Sequence, residues 1–125
     1  MRVVLTFVLM LAAAPAWAAE WLKVNEDART VFYIRPDSIT KSGEFRSAWE
    51  LHDSRAPNRA GDRSRQFLNE YDCKTMRVRT LSFSAYSGPM LSGKIVGDFI
   101  KPTKWQFIPS DTPVEFMLKL VCSAP

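Results

Sequence analysis

Two cysteines, Cys73 and Cys122, constrain this chain more than any other feature, because of the segment that precedes them. Residues 1–18 carry a positive start at Arg2, an apolar run broken only by Thr6, and Ala16, Trp17 and Ala18 ahead of a cut. Those are the three parts of a secretory signal peptide, and they predict a mature chain beginning at Ala19. A bilayer-spanning helix needs about 20 apolar residues; this run is shorter and meets Pro15. Export carries both cysteines into an oxidising compartment, where two cysteines in one chain have a single intramolecular pairing. A Cys73–Cys122 bridge closes a loop of about 50 residues, for which chain entropy gives roughly 4 kcal/mol. That is comparable with the whole net stability of a small domain, so the sequence predicts a structural disulfide.

Residues 19–125 have room for one domain. The formal charge is +4, one less once Arg2 leaves with the signal. So mild an excess is not the footprint of a nucleic-acid binder. The residue directly after the predicted cut is Ala19 and not cysteine, so an N-terminal lipid is not expected, and no other segment is long and apolar enough to span a bilayer. The expected mature protein is soluble.

The pattern along the chain predicts short strands and one helix. Residues 21–24 and 30–34 are β-rich, with the polar turn Asn25, Glu26 and Asp27 between them. Residues 45–53 alternate, with Phe45, Ser47, Trp49 and Leu51 on one side and Arg46, Ala48, Glu50 and His52 on the other. The second set reads as a wet face. After a loop at 53–65, strands are expected at 66–73, 75–86 and 104–108; in the second, a shift of apolar parity places a bulge near Arg79. Residues 88–97 read as glycine-rich and mixed. Thr112, Pro113 and Glu115 form a Thr-x-x-Glu helix start, and Val114, Met117, Leu118 and Val121 then recur at helical spacing. The expected fold is α+β: an antiparallel sheet of about five or six strands with the C-terminal helix packed on one face and tied by the disulfide.

Most chemical motifs are missing. Gly88, Gly93 and Lys94 match the glycine and lysine positions of a phosphate-binding loop, but Ile95 stands where a Ser or Thr must hold magnesium. The single His52 has no ligand spacing with the cysteines and no nucleophile pattern beside it, so neither a metal site nor an enzyme is expected, and no cofactor. Trp21, Trp49 and Trp105 read as core more readily than as a binding platform. The candidate ligand-binding residues are Arg55, Arg59, Arg63 and Arg65, in a loop partly offset by Asp53 and Asp62.

The order of features resembles the surface-adhesin protein E family of Gram-negative bacteria. The matching pieces are Trp21; Phe32 and Tyr33 followed by Asp37, Ser38, Ile39 and Gly43; Trp49, Glu50 and Leu51; Ser64 ahead of Tyr71, Asp72 and Cys73; and Trp105, Pro109 and Ser110 leading into a helix that ends at Cys122. The resemblance implies the same sheet, helix and disulfide, an exported periplasmic or surface location and, in the family's namesake, adhesion to host matrix and serum proteins. The namesake is lipid-anchored, whereas this chain has no lipoprotein cysteine. Two functions stay open at this point: an adhesin-like module for a protein ligand, and a periplasmic structural or accessory protein of the envelope. A homodimer is left open as well.

Overall fold

A computed structural model describes residues 20–125; the export signal at 1–18 and the cut before Ala19 lie outside the described residues. The strands are β1 (Leu22–Glu26), β2 (Thr30–Ile34), β3 (Thr40–Ser42), β4 (Phe45–Ser54), β5 (Ser64–Asp72), β6 (Arg77–Tyr86), β7 (Ile95–Phe99) and β8 (Gln106–Phe107), followed by helix α1 (Pro113–Ser123). All pair antiparallel in one sheet of order β1-β2-β4-β5-β6-β7, with β3 added beside β4 and β8 beside β6. The expected α+β architecture is what forms, with short β3 and β8 as additions to a six-strand path.

Helix α1 starts as its sequence dictates. Thr112 Oγ1 accepts from the Glu115 backbone N–H at 3.3 Å, and Pro113 opens the first turn. The Glu115 carboxylate accepts from Lys119 Nζ one turn on, at 3.2 Å. Met117, Leu118 and Val121 are buried against Ile34, Ala48, Tyr71 and Ile108, which together form the core. Cys73 and Cys122 are bonded, with their Cα atoms 5.8 Å apart. Arg46 adds a second tie, its Nη1 donating to the carbonyls of Val121, at 2.9 Å, and Ala124. Val121 lies in the last helical turn and Ala124 is the C-cap, where carbonyls have no intrahelical donor.

Two sequence expectations change, and one, the second, is made more specific. First, the helix packs on the Arg46, Ala48, Glu50 and His52 side of β4, which is therefore the core side and not a wet face. Ala48 is fully buried there and Glu50 nearly so. Alternation fixes which residues share a face, but not which face receives the helix. Glu50 stays inside because Tyr71 and Asn69 on β5 donate to it, and Arg46 because it donates to carbonyls at the helix C-terminus. Second, the β6 bulge lies at Leu81: Leu68 pairs with Ser82 and Asn69 with Thr80, leaving Leu81 as the extra residue, two positions beyond Arg79. Third, Ile95–Phe99 is a strand within a segment that reads as irregular.

The opposite face is closed from its two ends. Trp105 packs on Phe45 with ring centroids 5.2 Å apart, and the Arg79 guanidinium lies 4.7 Å from the Trp105 ring. At the other end, the turn at Pro89–Leu91 folds back onto β4 and β5. Leu51 is completely buried on this face.

Candidate ligand-binding surface

In an antiparallel sheet of this order, the connections β1–β2, β4–β5 and β6–β7 emerge at one end. The disulfide lies at the other, beside the β3–β4 and β5–β6 turns. Backbone and side-chain hydrogen bonds knit the three connections together. Arg55 N–H donates to the Arg29 carbonyl at 2.8 Å and joins the first two; Arg63 N–H donates to the Tyr86 carbonyl at 2.8 Å and joins the second and third. Ser64 Oγ, fully buried, donates to the Gly88 carbonyl at 2.6 Å and accepts from Leu91 N–H at 2.9 Å. Asp53 Oδ1 accepts from Met90 N–H at 3.0 Å.

These bonds hold an unusual backbone. Met90 and Leu91 are consecutive non-glycine residues at φ 52° and 62°, a left-handed conformation that costs an L-residue roughly 1–2 kcal/mol each. Gly93, at φ 80°, closes the same turn. The phosphate-loop resemblance at 88–94 ends here, because a strand and not a helix N-terminus follows it. What the turn does present is Met90, 43% exposed at its tip.

The four arginines marked in the sequence do not gather into one cluster. Arg55 Nη2 donates to Glu26 at 2.6 Å, and Arg65 Nε to Asp62 at 2.8 Å. Arg63 turns back, its Nε donating to the Ser54 carbonyl at 2.5 Å. Arg59 is exposed and forms no salt bridge among the described residues. The polar composition of the loop leads to the expectation that all four are exposed; Arg55 and Arg59 are, whereas Arg63 and Arg65 are half-buried.

Arg55 and Arg65 instead share an open cleft of about 540 Å³ with Arg29, a residue that sequence reasoning passed over. Arg29 is placed by Asp27, whose Oδ1 accepts the backbone N–H of Arg29 and of Thr30, each at 2.8 Å. Those two donors hold the Asp27 carboxyl below its ordinary range. The Glu26 carboxyl is lowered too, by hydrogen bonds from Lys23 and then Arg55. The signal for Arg29 in the sequence was its place two residues after an Asp in a tight turn, where the Asp side chain caps the following N–H groups.

His52 is a half-buried structural residue. It lies between Phe32 and Phe67, with ring centroids 4.7 and 4.4 Å away, and its Nε2 is 3.5 Å from Glu50 Oε1. Glu50 Oε2 accepts from Tyr71 OH at 2.5 Å and Asn69 Nδ2 at 2.9 Å, and Asn69 Oδ1 accepts from Thr80 Oγ1 at 2.8 Å. This is a satisfied polar network across β4, β5 and β6, inside the core. The three tryptophans stay apart: Trp105 sits with Phe45 and Arg79, Trp21 faces the Arg35 guanidinium at 5.8 Å, and Trp49 pairs with Leu68.

A second exposed surface runs along the outer edge of the sheet. Ile95, Val96, Phe99 and Ile100 are 59, 45, 38 and 88% exposed there. Tyr86 pairs with Ile95 and Ala85 with Gly97, so Val96 is a bulge in this edge strand. Such a bulge discourages another strand from adding on.

A family model described as surface-adhesin protein E matches residues 21–123. Among solved structures, several of Haemophilus influenzae protein E share the fold. One aligns with a TM-score of 0.58 at 11% identity, covering 82% of this chain and 83% of that one. A second crystal form gives 0.57 at 12%, covering 82% and 96%. A further structure, from a non-typeable strain, gives 0.54 at 11%, covering 89% and 82%. No curated protein matches the sequence.

Proposed function

This chain belongs to the surface-adhesin protein E family, and from that membership we propose that it is an exported binding module that holds a protein ligand on the loop end of its sheet. Host matrix and serum proteins are the ligand class, and binding, not turnover, is the activity. The observation that carries the reading is the interlocked loop end. Loops that bind are useful when a rigid scaffold fixes them, and here three connections are bonded to one another and to the sheet. Backbone strain concentrates where function over-determines the chain, and Met90 and Leu91 carry it at the tip of that end. A homodimer contact is a further part of the reading, and its best surface is the apolar edge at Ile95, Val96 and Ile100.

The test is binding of the purified chain to an immobilised panel of matrix and serum proteins, together with protease accessibility on intact cells. The reading expects saturable binding to a panel member, at least tenfold weaker for Met90→Ser combined with Arg59→Ser. No binding to any panel member, with the protein shielded inside the envelope, would leave a periplasmic accessory role in its place.

A further inference from the structure

We infer that the cleft between the β1–β2 turn and the β4–β5 loop is a carboxylate-recognising subsite that takes an acidic, extended segment of the protein ligand; the inference rests on the adhesin-like reading above. Its charged lining is three arginines, Arg29, Arg55 and Arg65, and no carboxylate. The cleft on the other side of the same turn has the opposite character, with Glu26, Asp27, Asp111 and Glu115 against Lys119. The surface is therefore segregated by charge across a single turn, and its modest net charge hides the separation.

The hydrogen bonds inside the loop decide which atoms are left for a ligand. Asn58 Oδ1 accepts the backbone N–H groups of Ala60 and Asp62, each at 3.0 Å. Its amide nitrogen, a pure donor, remains for the cleft. Arg65 uses its Nε on Asp62, and Arg55 one Nη on Glu26, so each keeps further N–H donors. Arg29 forms no salt bridge among the described residues. The charged and amide groups are thus donors, which suits a ligand rich in anionic acceptors, and guanidinium forks match carboxylates in geometry. Thr30 and Ser54 also line the cleft, and Ala28, Ala56 and Pro57 give it apolar walls. Those apolar walls suit the aliphatic stem of a glutamate side chain better than a densely sulfated sugar.

The cleft is preformed. Its two walls are joined by the Arg55 N–H to Arg29 carbonyl bond, and Asp27 fixes the turn that carries Arg29. Little ordering is left for the ligand to drive, which favours measurable affinity from a short segment.

The probes are a hexaglutamate peptide, a hexaglutamine control and a sulfated oligosaccharide of similar length, titrated against the purified chain. The inference expects hexaglutamate to bind at least tenfold tighter than hexaglutamine and to weaken as salt rises, through screening of the arginines. Arg29→Gln should weaken it several-fold and Arg29→Glu should abolish it. Neither variant should move the melting temperature, because the Arg29 side chain holds nothing in the fold. Equal binding of the two peptides, binding unchanged in Arg29→Glu, or tighter binding of the sulfated oligosaccharide would each overturn the inference. If matrix-protein binding persists while hexaglutamate fails, the subsite is wrong and the adhesin-like reading stands. If hexaglutamate binds and no panel protein does, the reverse holds.

Discussion

At the scale of single residues, Glu50 shows most clearly what the sequence conceals. Its position in an alternating strand puts it on the polar side, beside Arg46 and His52, and the side chain is nonetheless 2% exposed. Its burial is tolerable because Tyr71 and Asn69, about twenty positions away in sequence, donate to it. Long-range donors of this kind leave no local trace, whereas the Thr112 cap and Pro113 were legible because helix capping acts within one turn. Removing a donor from a buried acceptor costs about 1–3 kcal/mol, so Tyr71→Phe should lower stability by that amount in urea unfolding at neutral pH. The Tyr71 hydroxyl is held well above its ordinary value, first by burial and then by the Glu50 charge. A raised acid of this kind contributes its full stability below about pH 10 and loses it as pH climbs toward the folded-state value. The gap between wild type and Tyr71→Phe should therefore narrow between pH 9 and 12. A gap that stays constant would show that the tyrosine's protonation is not coupled to folding.

Among the elements, helix α1 and its bridge were the most readable, and β7 the least. Two cysteines in one chain allow one intramolecular pairing, and that pairing forms. Strand β7 was hidden because its pattern is broken by Gly97 and by the bulge at Val96, so neither strand alternation nor a helical period survives. The helix also proved better anchored than its amphipathic stripe suggests. Arg46 reaches from β4 to the carbonyls of Val121 and Ala124, a tie between residues far apart in sequence. Cys73→Ser should cost about 2–5 kcal/mol, the usual loss for a disulfide in a small exported domain. Cys122→Ser should match it, and the double variant should be no worse than either, because both remove one bond. Arg46→Ala should cost about 1 kcal/mol with the bridge intact. In the Cys73→Ser background it should cost more, since the helix end then has lost both ties. Additive losses in this cycle, read by thermal melts, would mean that the bridge and Arg46 act independently.

Across the whole molecule, the ties that hold the helix and the proposed recognition surface lie at opposite ends of the sheet. The disulfide and the Arg46 contacts to the last helical carbonyls lie at one end, and the strained turn and the arginine cleft at the other. The sequence revealed the loop at 53–65 as basic but not how its charges are spent, because the partner of Arg55 is Glu26 in β1 and those of Arg63 and Arg65, Ser54 and Asp62, depend on how the loop folds back on itself. The arginines accordingly divide into two kinds. Arg59→Ser and Arg29→Ser should each change stability by no more than about 0.5 kcal/mol, as surface substitutions do. Arg63→Ser removes a hydrogen bond that joins the loop to the end of β4 and should cost about 1 kcal/mol. The separation of ends then makes a paired prediction. Arg29→Ser with Arg59→Ser should weaken ligand binding while leaving the melting temperature in place. Cys73→Ser should lower the melting temperature while leaving the affinity of the folded fraction at the wild-type value, because no hydrogen bond of the loop end involves the bridge. Measuring both quantities on both variants at a temperature where each remains folded tests the division. Loss of affinity in Cys73→Ser matching that of the arginine pair would show that the two ends are coupled through the sheet, and would move recognition away from the loops.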